Sequence, residues 1–145
     1  MIKWKYVIGW FPLVLIAIVN GTFRQIAFQQ ALGELHAHQL STAIGIVLFG
    51  VYIYWYVRRS KLQSMSEAVQ IGILWMLLTI AFEFGLGRIV LGRDWSVLLH
   101  DYNLIEGRVW GIVLIWVAVA PSIFFIMTRK ASAGAGPRVR LDNRH

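Results

Sequence analysis

Residues 38–57 read HQLSTAIGIVLFGVYIYWYV, an apolar run with no lysine, arginine, aspartate or glutamate from end to end. Crossing about 30 Å of hydrocarbon takes roughly 20 residues of helix, so this stretch alone predicts a membrane span. Three more runs of similar length lie near Tyr6–Phe23, Ala68–Gly87 and Val109–Met127. The whole chain agrees with them. Its 145 residues are 58% hydrophobic and include seven tryptophans, too little polar surface for a soluble globule of that size. A helix satisfies its own backbone in lipid, and no run alternates polar with apolar residues as a barrel strand would. The expected fold is an all-α integral membrane protein, a four-transmembrane-helix bundle over residues 1–130. The tail, 131–145, is basic, small and Pro/Gly-containing, and is expected to be disordered and cytoplasmic. Lys3 and Lys5 before the first run also resemble a signal-peptide start, but no small-x-small cleavage site follows, so the run is read as a retained span.

Lys3, Lys5, Arg58, Arg59, Lys61, Arg129, Lys130, Arg138, Arg140 and Arg144 fall at the N-terminus, the middle loop and the tail, all on one side of four crossings. Arg24, Arg88, Arg93 and Arg108 fall on the other. The positive-inside rule then puts both termini in the cytoplasm of a cell whose inner (plasma) membrane holds the protein. The high net charge follows from topology and calls for no nucleic-acid partner. The acidic residues run the opposite way, with Glu34, Glu83, Asp94, Asp101 and Glu106 outside, joined by His36, His38 and His100. With no cysteine, disulfides and thiolate chemistry are excluded.

Sliding the chain by 64 positions lays Leu13 on Leu77, Ala17 on Ala81, Gly21 on Gly85, Arg24 on Arg88 and His36 on His100. The Gly-x-x-Arg and Leu-His matches carry more weight than apolar coincidences. They predict two tandem two-helix repeats, about 1–62 and 66–130, parallel and related by an axis along the membrane normal. Between the helices, Phe28, Ala31, Leu32 and Leu35 form the stripe of a short amphipathic helix at the interface. Asp94 is placed to start a short helix at Trp95, and Asn103 with Glu106 reads as a capping box for the fourth helix. Gly107 and Gly111, in G-x-x-x-G spacing, and Gly45 and Gly50 offer small faces for helix contact. Pro121 removes a backbone bond inside the fourth helix.

Two clusters carry candidate chemistry. Asn20 and Arg24 share a helix face, as do Thr79 and Glu83. Glu83 lies inside its span, where a lone charge costs several kcal/mol, so it is expected to pair with Arg24 or Arg88 or to be protonated. The outward mouth of Asn20, Arg24, His36, Glu83, Arg88, His100 and Asp101 is expected to bind a small anionic molecule or a lipid headgroup, in a transport-related role. Paired arginines suit planar anions, and histidines make such binding sensitive to pH. Glu34, His36, His38 and His100 have the donor chemistry for a transition metal, though His36 and His38 point about 200° apart on a continuous helix. That set is the alternative, a metal-dependent membrane enzyme. A third reading is an accessory subunit, as a homo-oligomer or within a larger membrane complex. No H-E-x-x-H, G-x-S-x-G or phosphate-cradling glycine loop occurs, so no catalytic residue is assigned.

Overall fold

The computed structural model describes residues 3–100, 102, 103, 105, 107 and 109–134. Among them every regular element is helical, and four helices are long and apolar enough to cross a membrane: Trp4–Leu32, Glu34–Ser60, Met65–Val90 and Trp110–Ala133. These are spans one to four, and the multi-pass architecture is as the sequence predicts. Their outer faces expose residues such as Leu15, Val47 and Ile115, while Tyr6, Phe49, Ile53, Ile71, Trp75, Val113 and Val117 fill the interior. Span three packs most closely on span four, span four on span two and span two on span one; span one meets span three more sparsely. The N-terminus, the 61–64 link and the end of span four form one end of the bundle, called here the basic end.

Span one is built from α1 (Trp4–Ile8), α2 (Phe11–Phe23), a π-helical turn (Arg24–Phe28) and α3 (Gln29–Leu32). Pro12, in the first turn of α2, has no N–H to donate to the turn before it, and the helix breaks at Gly9 and Trp10. Backbone carbonyls around a break in hydrocarbon must find other donors. The Tyr56 hydroxyl donates to the Lys5 carbonyl at 2.9 Å, Trp75 Nε1 to that of Tyr6 at 2.7 Å, and the Tyr52 hydroxyl to that of Gly9 at 2.6 Å. Glycine is required for this approach, because a Cβ on Gly9 would stand 2.4 Å from the Tyr56 ring.

The separate interfacial helix expected after Arg24 is not present: span one runs on to Leu32. Residues 22–32 contain neither glycine nor proline, so nothing stops the helix, which passes through the π turn without a break. Gly33 ends it, with φ 76° and ψ 169°, and α4 (Glu34–Ser60) begins at the next residue. At the basic end, α5 (Met65–Gly85) starts from Ser64, whose hydroxyl accepts from the Glu67 N–H at 3.2 Å while the Glu67 carboxylate accepts from the Gln63 N–H at 2.9 Å. Lys3 also donates to Glu67, and this hydrogen bond holds its ammonium above its ordinary pKa.

α5 passes into a second π turn (Leu86–Val90), and α6 (Trp95–His100) starts at Trp95 as expected, with Asp94 supplying the carbonyl that accepts from Val97 and Leu98. α7 (Trp110–Gly134) begins later than the capping-box reading placed it. Asn103 instead closes a local turn, its side chain accepting from the Ile105 N–H at 3.2 Å, while Glu106 lies outside the described residues. The G-x-x-x-G reading is corrected as well. Gly107 is in a turn at φ 77°, and a Cβ on Gly111 would meet nothing. Gly107 approaches Gln39 and Leu35 from that turn, while Gly45 and Gly50 face Asn20 and Trp116 as the sequence suggests, and the tightest approach is at Gly72, where a Cβ would lie 1.9 Å from the Ala118 carbonyl oxygen. α7 continues through Gly134, so the first residues assigned to the tail are helical; 135–145 lie outside the described residues.

Candidate functional site

At the end opposite the basic one, spans one, two and three diverge around a cavity of about 260 Å³, closed partly by α6, Tyr102 and Trp110. Its depth follows from the residues of span one that line it, from Trp10 to Arg24. At the helical rise these are ~21 Å apart along the axis, a large part of a bilayer's thickness. The floor is tied by Trp10 Nε1, which donates to Thr79 Oγ1 at 3.1 Å, while the Thr79 hydroxyl donates to the Trp75 carbonyl at 2.8 Å. The indole and hydroxyl are thereby satisfied, and the deep wall they share with Leu13, Phe49 and Phe82 is apolar.

Polar groups gather higher up, where His38 and Ser41 line the cavity from one face of α4, with Thr42 behind them. His38, Ser41 and Thr42 recur at helical spacing, and all are buried, His38 to 1% exposure. Ser41 and Thr42 both turn their hydroxyls back to the His38 carbonyl, at 3.1 and 2.8 Å. Across the interface, Asn20 Nδ2 donates to the Ser41 carbonyl at 2.7 Å, which fixes span one against span two. One turn further, Arg24 Nη1 meets His38 Nδ1 at 3.0 Å. Arginine only donates, so Nδ1 accepts here and the imidazole is the neutral tautomer with its proton on Nε2. No carboxylate pairs with Arg24 among the described residues. Its half-buried guanidinium is positioned by the imidazole instead.

Glu83 enters the cavity from span three. It accepts from Trp110 Nε1 at 2.7 Å and from the Tyr102 hydroxyl, while Tyr102 stacks on Phe84 with ring centroids 5.8 Å apart. These donors differ from the expected ones. Arg24 is bonded to His38, and Arg88 donates to the Arg93 carbonyl at 3.1 Å and stands 3.6 Å from the Asp94 carboxylate.

The predicted mouth is thus divided. Asn20, Arg24 and Glu83 line the cavity together. Arg88 lies outside it, and Arg93 takes the second cationic place in the lining. His36 and His100 are exposed and contribute no lining side chain, and Asp101 is outside the described residues. For the proposed metal set, the described residues contain no convergent group of three histidine or carboxylate side chains: Glu34, His36, His38 and His100 are not brought together. His38 belongs to Arg24 instead, because the continuous helix from Glu34 turns it inward and His36 outward. Sequence reasoning missed the roles of Tyr102, Trp110 and Arg93. The inward turn of His38 had a signal, since His38, Ser41, Thr42 and Gly45 recur at i, i+3, i+4 and i+7 within an apolar run. Compared with known proteins, the chain matches no family model, no curated protein and no solved structure.

Proposed function

We propose that the protein is a non-enzymatic membrane receptor or carrier for a small anionic amphiphile, a molecule with a carboxylate or phosphate head and an apolar body. The observation that carries this reading is the arginine over a deep apolar wall: Arg24, without a carboxylate partner among the described residues, stands at one end of a cavity whose other end is Trp10, Leu13 and Phe82. A planar anion takes two parallel hydrogen bonds from a guanidinium. Arg93 adds a second positive charge to the lining. Glu83, which accepts from Tyr102 and Trp110 among the described residues, shapes the wall between them. A free metabolite and a membrane lipid share this chemistry, and chain length separates them. With purified protein in detergent, affinity is expected to rise steadily from acetate to octanoate and to fall at least tenfold in Arg24→Gln. Equal affinity at every length, or binding untouched by Arg24→Gln, would overturn the reading.

The distribution of lysine and arginine supports cytoplasmic termini in a plasma membrane, which makes the cavity open outward. A reporter fused after Arg129 is expected to behave as cytoplasmic and one at Asp94 as external; an external tail would reverse the direction from which ligand enters. The tandem repeat gains support from an independent feature, because each hairpin carries a π turn at its matched arginine, Arg24–Phe28 and Leu86–Val90. The order of packing, spans one, two, four and three around the bundle, also suits a two-fold axis exchanging one with three and two with four. Superposing residues 6–57 on 70–121 tests it, and a fit that leaves Arg24 far from Arg88 would reduce the sequence match to coincidence. In this reading the two halves have diverged, with only the first keeping its arginine on a buried histidine.

A further inference from the structure

The basic end holds a second cavity, about 690 Å³, between the end of span two and the end of span four. Arg58, Lys61 and Arg129 line it, and among the described residues no acidic side chain does. Among the described residues none of the three has a carboxylate partner. Arg58 Nη1 donates to the Tyr54 hydroxyl at 3.4 Å, and the Arg129 guanidinium lies 5.2 Å from the centre of the Phe125 ring, contacts that orient both cations without neutralising them. Thr128 donates its hydroxyl to the Phe124 carbonyl at 2.9 Å and Ser132 to that of Thr128 at 3.0 Å, so among the described lining residues the Tyr54 hydroxyl, which accepts from Arg58, is the one neutral hydroxyl left beside the three cations. Recognition in this cavity therefore rests on positive charge. Its remaining walls, from Val57, Leu62 and Met127, are apolar.

We propose that this cavity seats the phosphate of an anionic glycerophospholipid, with the start of an acyl chain on the apolar wall. The depth fits, because the cavity opens where two spans end beside Tyr54 and Trp55, at the level expected of headgroups. A structural account also exists: cations at the end of α4 complement its carbonyls and its macrodipole. Lys61 distinguishes the two. It is the only non-glycine with positive φ among the described residues, φ 46° and ψ 56°, in the left-handed region that glycine adopts with less strain. A residue needed only to end the helix is better served by glycine, whereas one that presents an ammonium to a ligand is not.

The full chain in zwitterionic detergent is titrated with phosphatidylglycerol, phosphatidylcholine and inorganic phosphate, read by native mass spectrometry and thermal melting. Phosphatidylglycerol is expected to be retained at one copy per chain and to raise the melting temperature, phosphatidylcholine to do neither, and phosphate to act only at far higher concentration. Lys61→Gly is expected to melt higher than the parent without lipid yet to bind phosphatidylglycerol several-fold more weakly. The pair Arg59→Gln and Lys130→Gln, at the same end but outside the cavity, should leave binding unchanged. Unaltered lipid binding in Lys61→Gly, equal retention of phosphatidylcholine, equal potency of inorganic phosphate, or equal loss from the Arg59/Lys130 pair would each overturn the proposal.

Discussion

At the scale of single residues, Glu83 shows that a carboxylate inside a span takes neutral donors among the described residues, Trp110 and Tyr102. Trp110 can only donate through Nε1, whereas the Tyr102 hydroxyl can donate or accept. A glutamine at 83 satisfies both, its oxygen accepting from Trp110 and its amide donating to Tyr102. Glu83→Gln is therefore expected to cost only about 1 kcal/mol, the difference between a charged and a neutral hydrogen bond. Glu83→Leu leaves two polar groups without their acceptor and is expected to cost roughly 2–5 kcal/mol. Thermal melting of both variants checks the pair, and equal destabilisation would mean that the charge itself, and not the hydrogen bonding, stabilises the wall. The sequence revealed that Glu83 needed a partner but not which one. The candidates by sign of charge were arginines, and the donors among the described residues are Tyr102 and Trp110, 19 and 27 residues away, the first brought there by the link after α6 and the second by the packing of span four on span three.

At the scale of elements, the spans were legible because length and the absence of charge are properties of a run of sequence, independent of its neighbours. Their interruptions were only partly so. Tyr6–Phe23 reads as one unbroken run, whereas the helix breaks at Gly9 and Trp10 ahead of Pro12, and the groups that bond the carbonyls around the break, Tyr52, Tyr56 and Trp75, depend on how spans two and three are rotated toward span one. The stripe of Phe28, Ala31, Leu32 and Leu35 has the same period whether its helix lies in the interface or prolongs a span, so periodicity could not choose between them. The decisive residue was Gly33. At φ 76° and ψ 169° it occupies a region open essentially to glycine alone, and it joins spans one and two without another linking residue. Gly33→Ala is expected to cost about 1–3 kcal/mol from backbone strain, since a Cβ there meets no neighbouring atom within 4 Å. Melting of the variant at unchanged helix content tests this. A neutral substitution would show that the link relaxes freely and does not set the angle between the two spans.

At the scale of the whole molecule, charge and hydropathy divide the bundle into two ends with different chemistry. One is basic and has a broad cavity whose cations have no acidic partner among the described residues; the other admits a narrow cavity in which arginine, histidine, asparagine and a carboxylate meet above an apolar wall. The two-ended division was legible from lysine and arginine counts alone. The location of the narrower cavity was half legible: of Asn20, Arg24, Thr79, Glu83 and Arg88, grouped by their place at the outer ends of two spans, all but Arg88 line it, while His36 and His100 were added by a repeat symmetry that does not extend to the cavity lining. Photolabelling tests the central claim most directly. A medium-chain carboxylate carrying a diazirine at its far end is irradiated with the protein, and the adducts are mapped by mass spectrometry. Adducts concentrated on Trp10, Leu13 and Phe82, and lost in Arg24→Gln, are the predicted result. Adducts spread over lipid-facing residues such as Leu15 and Ile115, and unchanged in Arg24→Gln, would contradict it.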